Sequence, residues 1–462
     1  MTAPAPSFDV GGLSIAPPRT KAELQEFIEL PLRLHPRDRY VPLWQDTVTS
    51  WWQGLGPHTA HGSVIVALAR DAHGTVVGRT TVHTDSRMDE KLGTRTQLMG
   101  ATEFTGPDVL AGLTAYAEWV ARQDDRTTLL GPVSLLPNQT GGVITSGFGE
   151  RGFVDSPWNP EHYPAAWEAA GFTPVWPAAT WVCEDLAAHD PDEVFPRGAG
   201  PLPAGVELHH GRRRGLSRQL GILRSMLNPS FAQLPYYTQI TAEELSAATD
   251  GLAWLLDEDL LLWLTVDGEP SAFVLVVPDL TAFVQSTGGR MALRDQVRLL
   301  LTRRRYRRDA VLIIKGTVPE AQGRGLMSVL SHRLLANLRA GGYESLRVTF
   351  IGEDSVLPGD RFESLFEGLE EGSYVIYMEA ETGESAAFDL TSGSPMAQEA
   401  LAHRPEPGPD GRMPDPRSRA GMADLYAYAH LLGDSKRRAP GADVMSILMS
   451  AVDDEPDDGA PT

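Results

Sequence analysis

Only one cysteine, Cys183, occurs in the 462 residues, so no intrachain disulfide can form and the chain reads as cytoplasmic. No apolar run is long enough to span a bilayer, and no membrane partner is expected. The opening "MTAPAPSFDV" has neither the basic nor the apolar region of a secretory leader. Basic residues are scarce: 40 Lys and Arg stand against 61 Asp and Glu, a net charge of −21. That balance argues against a nucleic-acid partner, because phosphate contacts need a basic face. The histidines lack metal-ligand spacing, so no metal is expected. What remains is a chain long enough for two or three domains, with 42% hydrophobic residues to build their cores.

Two stretches alternate with period two, as half-buried hairpins do. The first is "SVIVALARDAHGTVVGRTTVH" (63–83), turning at His73-Gly74; the second is "LLLWLTVDGEPSAFVLVVP" (260–278), turning at Asp267-Gly268. An apolar strand, a helical stretch, a further strand and a late helix follow each hairpin in the same order. This is the pattern of a duplicated α/β unit. "KAELQEFIELPLRLH" reads as a helix broken at Pro31. The divisions expected are a disordered N-terminus (1–12), a first unit (13–188), a Pro- and Gly-rich linker (189–205), a second unit (206–403) and a Pro- and Asp-rich tail with short helices (404–462).

In the second unit, "AVLIIKGTV" is followed by "PEAQGRG" and then by Met327, Leu330, Leu334 and Leu338 at helical spacing. Strand, glycine loop and helix in that order turn successive backbone N–H groups toward one concavity, where the helix dipole favours an anion. The Gly-Lys-Ser/Thr of a P-loop and the third glycine of a dinucleotide loop are both absent, Ser328 standing where that glycine would be. The remaining pattern, Gln322-x-x-Gly325, resembles the acetyl-coenzyme A loop of the GCN5-related N-acetyltransferases, Q/R-x-x-G-x-G/A, and departs from it at Met327. "FIELPLRLHPRDRYVPLW", "GTVVGRTTVH", "GPVSLLPNQTGGVITSGF" and "WNPEHYPAAWEAAGF" in the first unit are similar to segments of a bacterial family of tandem acetyltransferase-like proteins.

The resemblance implies an α/β (α+β) fold of two tandem acetyltransferase-like domains, each a mixed, mostly antiparallel twisted sheet flanked by helices, followed by the C-terminal helical tail. It implies an enzyme that transfers an acyl group from coenzyme A, as co-substrate, to an amine of a small molecule or peptide by direct attack. Two alternatives stay open: a long-chain fatty or polyketide acyltransferase fed by coenzyme A or an acyl carrier protein, and a non-catalytic coenzyme A-binding or scaffold protein. A homodimer is allowed. Only the second unit carries the loop, so the first is expected to shape the acceptor pocket or to be structural.

The residues carried over for the carrier are Gln322, Gly323, Arg324, Gly325, Leu326 and Met327 around the diphosphate, and Ser355 as a polar pantetheine contact. A backbone N–H at Thr317 or Val318 is assigned to the thioester oxygen. The strand glutamate that often serves as base is replaced by Lys315, which leaves Glu353 and Asp354 as base candidates. Phe366 stands where the family's late tyrosine would be, so Tyr377 on the last strand is the acid candidate, with Tyr374 beside it. "RRRYRR" (303–308) reads either as an exposed basic helix end or as a seat for the carrier's 3′-phosphate. Trp51, Trp52 and Trp158 read as core residues or as lining of an acyl channel.

Overall fold

In the first half, β1 (Phe8–Val10) and β2 (Leu13–Ala16) precede α1 (Lys21–Leu34) and α2 (Gln45–Gln53). The hairpin β3 (Val64–Arg70) and β4 (Val76–His83), α3 (Ser86–Leu92), β5 (Thr96–Phe104), α4 (Pro107–Arg122), β6 (Thr128–Gly131), β7 (Val143–Ile144), α5 (Tyr163–Ala169) and β8 (Thr173–Cys183) complete it. The short α6 (Pro191–Val194) leads to β9 (Val206–His210), α7 (Leu216–Phe231), α8 (Ala242–Ala248) and the second hairpin, β10 (Leu261–Val266) and β11 (Glu269–Pro278). Then come α9 (Thr281–Thr287), α10 (Leu293–Thr302), β12 (Asp309–Thr317), α11 (Leu326–Ala340), β13 (Ser345–Gly352) and β14 (Glu370–Ala380). This is a computed structural model, and it describes residues 7–136, 141–249, 256–352 and 370–380, the last strand by its backbone.

Both hairpins form as their alternation requires. Asp267 and Gly268 sit at φ +52° and +88°, the left-handed pair that matches the twist of two antiparallel strands. The expected loose N-terminal end is shorter than its composition suggests, because Phe8–Val10 pairs antiparallel with Leu13–Ile15. The linker expected over 189–205 is also packed: Phe195 is buried, and a Cβ on Gly198 would lie 2.3 Å from the Ser328 carbonyl oxygen of α11.

Pro31 does not break α1, which runs from Lys21 to Leu34 around it. A proline at this position removes the N–H that Phe27 O would accept. The Arg79 guanidinium donates to Phe27 O instead, at 2.9 Å. The helix therefore keeps its course at the cost of anchoring an arginine in the core.

Each half contains one parallel pair among antiparallel neighbours: β5 with β6, and β12 with β13. The halves do not keep their own last strands. β8 pairs with β13 of the second half, and β14 pairs with β6 of the first. β8 and β14 also pair with each other, so the described strands form one continuous sheet. The two expected domains are thereby fused at the middle by a reciprocal exchange. Helices cover both faces of the second half. Leu326, Leu330, Leu334, Leu335 and Leu338 of α11 pack against Val274, Val276 and Leu312. Leu223, Met226 and Leu227 of α7 pack against Trp263 and Phe273 on the other face. Each such leucine contributes about 1.5–3 kcal/mol by leaving water.

Charged groups tie the halves as well. Arg87 donates to Asp85 Oδ2 at 2.7 Å and forks onto both oxygens of Glu244 on α8, at 2.7 and 2.8 Å. Glu244 also closes a capping box with Thr241. Arg87→Ala would leave two carboxylates facing each other with little solvent access, and is expected to lower stability by about 3 kcal/mol. An unfolding free energy from urea titration that falls by less than about 1 kcal/mol would show the cross-half fork to be a minor tie.

Candidate functional site

β12 and β13 are hydrogen-bonded only over Asp309–Leu312 against Ser345–Val348. The cause of their separation is visible on the other edge of β12. The ladder to β11 slips by one residue, Leu275 facing Ile314 and Val276 facing Leu312, so Ile313 is bulged out and half exposed. A bulge bends its strand and sharpens its twist. Beyond it β12 and β13 are no longer laddered, and the parallel pair parts after Leu312 and Val348.

The glycine loop begins just past Thr317, the end of β12 and five residues beyond its last pairing with β13. Its first turn, Pro319–Ala321, is a 3₁₀ turn, and Gln322–Gly325 is exposed. Gly323 and Gly325 both sit at φ +73°, a region that L side chains avoid. A Cβ on either would meet nothing within 4 Å, so it is the backbone conformation and not crowding that favours glycine here. Gln322 Nε2 donates back to Thr317 O at 3.3 Å, closing the loop on the end of its strand. Gly325 is the N-cap of α11, with no side-chain cap and no acidic residue in the first turn. No acceptor among the described residues takes the N–H groups of Gly323 through Ser328. Leu326 is buried in the α11 core and Met327 packs at its edge, so these two hold the helix start in place. Arg324 is exposed on the same loop. Amides, dipole and guanidinium together suit a diphosphate.

The two amides assigned to a thioester oxygen separate clearly. Val318 N–H donates to Ser271 O at 2.9 Å, which removes it from that role. Thr317 faces Ala272 at the alternate, non-bonded register position, so its N–H points toward the gap. Glu353, Asp354 and Ser355 lie outside the described residues, as does Phe366. Tyr377 is placed by its backbone in β14 opposite Gly131 and Pro174, and Tyr374 opposite Ile144 and Ala178.

An apolar cluster that the sequence reading missed lies on the α7 face of β11 and β12, the latter being one edge of the parted pair. Phe231, Leu234, Leu275, Ile314 and Val318 are partly buried there against Phe273 and Tyr237. The two-residue alternation of β11 places Leu275 on that face beside Phe273, whereas Ile314 reaches it only because the bulge at Ile313 reverses the alternation set by Leu312; the contribution of the α7 end is tertiary. The tryptophans do not serve this purpose. Trp51 is buried in a first-half core with Val48 and Phe27, Trp52 donates to Pro18 O, and Trp158 donates to Glu150 O. The basic run lies at the start of β12, a strand length of roughly 27 Å from the loop. There Arg308 pairs with Glu344 at 2.6 Å and Arg307 with Asp257 at 3.4 Å, so these two described arginines lie away from the loop and already have carboxylate partners. Cys183 is fully buried, and burial pushes its thiol up to about 11, with Asp185 and Glu184 adding to the rise; it is not a nucleophile.

The first half repeats the gap and fills it. β5 and β6 ladder over Thr96–Leu98 and Thr128–Leu130 only, and β5 slips against β4 at Ala101, which sits at φ +46°. The chain after β6 then occupies the space: Val133 N–H donates to Met99 O at 2.7 Å, and a Cβ on Gly100 would lie 1.8 Å from Val133 O. His83 Nε2 donates to Leu135 O at 2.9 Å behind this plug. Only Thr105 and Gly106 join β5 to α4, where the second half has Val318–Gly325. α4 opens with Pro107, which has no N–H, and Asp108, which repels an anion. Glu103 at the end of β5 is enclosed. It accepts from Tyr163 Oη at 3.0 Å, meets His35 Nε2 at 2.6 Å, and has Arg79 at 3.7 Å. Burial raises its pKa, but His35, Arg79 and Tyr163 outweigh burial and hold the carboxyl below its usual range. Its role is to hold the first-half core.

No family profile matches the chain. It is 26% identical over 296 residues to a protein named "Bacterial ceramide synthase" from Caulobacter vibrioides (strain NA1000 / CB15N), covering 60% of this chain and 73% of that one. It is 24% identical over 272 residues to "Protein YghO" of Escherichia coli (strain K12), covering 58% and 69%. Among solved structures it is similar to a tandem GNAT protein from the clavulanic acid biosynthesis pathway, with 15% identity, a TM-score of 0.48, and coverage of 81% of this chain and 100% of that one. A GCN5-related N-acetyltransferase from Sphaerobacter thermophilus is similar at 12% identity and a TM-score of 0.43, covering 81% and 98%.

The plugged gap gives a pH prediction. His83 is buried as a neutral ring, and burial lowers its pKa from 6.5 to about 4. Between those values the unfolded chain binds a proton that the folded chain does not. The stabilisation is therefore complete above pH 6.5 and is lost as pH falls, by about 3 kcal/mol at pH 4. His83→Gln keeps an N–H donor without titrating, and should remove this much of the acid-side loss in urea titrations at neutral pH and at pH 4.

Proposed function

We propose that the chain is an acyl-thioester-dependent N-acyltransferase whose co-substrate, acyl-coenzyme A, sits in the second half. The observation that carries the reading is the coincidence of three features at one place: a bulge at Ile313, a gap between β12 and β13, and a run of unclaimed amides at the start of α11. The loop from Gln322 to Met327 would take the diphosphate. The pantetheine arm would bond the open edge of β12 as a partial strand, and the Thr317 amide would polarise the thioester carbonyl. An acceptor amine from a small molecule or peptide attacks that carbon, the C–S bond breaks, and the proton lost by the nitrogen ends on the departing thiolate. Glu353, aided by Asp354, is our proposed base, Tyr377 our proposed acid, and Ser355 our proposed pantetheine contact. The first half, with its gap filled, braces the site.

A long-chain donor is the more specific version of this reading, delivered by coenzyme A or a carrier protein. Two observations favour it. Phe231, Leu234, Leu275 and Ile314 form a partly buried apolar cluster on the α7 face of β11 and β12, beside the strand edge assigned to the pantetheine arm, which an acetyl group does not need. A ceramide is a fatty amide of a long-chain amino alcohol, and the relative from Caulobacter bears the name of an enzyme that makes one.

Arg324→Glu should weaken coenzyme A binding about tenfold by calorimetry, through loss of one charge-assisted contact and the gain of a repulsion. Coenzyme A that binds wild type and variant equally, or neither, would remove the loop from the site. With a panel of amines and acyl-coenzyme A of increasing chain length, free-thiol release should rise with chain length. Leu234→Asp should lower the rate with a palmitoyl donor about tenfold and leave the acetyl rate unchanged, since a charge in that cluster opposes burial of an alkyl chain. Equal loss with both donors would place Leu234 outside the acyl path.

A further inference from the structure

The helix α10 carries its apolar residues on the wrong side for a folded core. Leu293, Val297, Leu300 and Leu301 are 75%, 48%, 39% and 82% exposed, while Asp295 and Leu299 are the residues it buries. At 100° per residue the four exposed positions, i, i+4, i+7 and i+8, fall within about 100° of arc. The centre of that arc lies opposite the arc holding Asp295 and Leu299. This is a complete apolar stripe aimed at solvent, where a surface helix would normally present polar groups.

The surrounding charge is as unusual as the stripe. Residues 290–308 hold eight arginines and one aspartate, a net +7, in a chain whose total is −21. Arg294 and Arg298 border the stripe along one side by their helical position, and both are exposed. Past the helix end, Arg305 and Arg308 are exposed, and Arg305, Arg307 and Arg308 line a shallow depression with Gly341, Gly342 and Glu344, in which Arg308 pairs with Glu344 and Arg307 with Asp257, so the cationic share of the surface rests chiefly on Arg294, Arg298 and Arg305. No helix among the described residues is long and apolar enough to cross a membrane.

We propose that α10 and the arginines after it dock this protein on an anionic phospholipid surface. The leucines enter the acyl boundary while the guanidinium groups take the phosphates of the headgroups. This reverses the expectation of no membrane partner drawn from the absence of long apolar runs, which bears on spanning segments and not on a short interfacial helix. Charge complementarity selects the lipid. A body of net −21 is repelled by an anionic bilayer everywhere except at a concentrated basic patch, and that patch is where the leucines are. An acidic protein would satisfy the arginines, but it would not require an apolar stripe of this width. The surface lies at the opposite end of β12 from the glycine loop, so docking leaves the loop open, and the inference stands independently of what the loop holds.

The full chain is to be sedimented with vesicles of phosphatidylcholine alone and of phosphatidylcholine mixed with phosphatidylglycerol. It is expected to pellet with the mixed vesicles and to stay in solution with the neutral ones. The pair Val297→Asp and Leu301→Asp sits at exposed positions, so its urea midpoint should match wild type while vesicle binding falls at least roughly tenfold. Arg294→Gln should weaken binding less and reduce its dependence on salt, whereas Arg324→Glu should leave it unchanged. Failure of the wild type to bind mixed vesicles overturns the proposal. So does binding that survives the double substitution, which would assign the patch to electrostatics alone. A wild-type dimer by light scattering that the double substitution converts to monomer, with vesicle binding unaffected, would assign the stripe to a second copy and equally overturn it.

Discussion

The separation of β12 from β13 is the constraint on which the site depends. Two parallel strands that begin in register will continue their ladder unless something forces one of them aside, because each unmade backbone bond leaves a donor and an acceptor unsatisfied. The extra residue at Ile313 supplies that force. Thr317, further along, has its amide turned away from β11, at the point where the chain enters a loop whose own amides have no acceptor among the described residues. A ligand able to act as a short strand and to end in a diphosphate satisfies both sets of groups at once. The open edge and the open helix start are therefore better understood as one feature than as two.

The first half shows the alternative outcome of the same geometry. It has the slipped ladder and the interrupted parallel pair, and it resolves the unsatisfied edge internally with the segment after Gly131. Proline and aspartate at the start of α4 then close off any use of that helix dipole. The buried cluster of Glu103, His35, Arg79 and Tyr163 sits where an active carboxylate is expected by analogy, yet the carboxylate is enclosed by His35 and Tyr163, and Arg79 is anchored on Phe27 O. Repetition of a fold thus carries no guarantee of repeated chemistry; a few residues at one strand end decide it.

Much of this was legible in the chain itself, and the exceptions have identifiable causes. The hairpins followed from alternation and from Asp-Gly or His-Gly at their turns, and the loop from two glycines between an apolar strand and a leucine-spaced helix. The exchange of β8 and β14 was not legible. A strand's pattern records which face is buried and says nothing about which neighbour fills its hydrogen-bonding edge. Pro31 suggested a helix break because the compensating donor, Arg79, lies 48 residues away in sequence. Val318 and Thr317 could not be told apart without the register that alternates their amides. The outward stripe on α10 was present as a helical repeat, but period alone does not tell which side of a helix meets the protein.

The reciprocal exchange of terminal strands bears on how the polypeptide is made. A ribosome completes the first half well before β13 has been synthesised, so β8 emerges with neither of its eventual neighbours in existence. β6 likewise waits for β14, which ends at residue 380. The nascent first half must therefore either carry two bare edges or adopt a provisional pairing of β8 with β6 that is later undone. Maturation of the N-terminal half is in this way tied to the emergence of the C-terminal half, and a ribosome stalled between the two leaves behind a sheet with sticky borders.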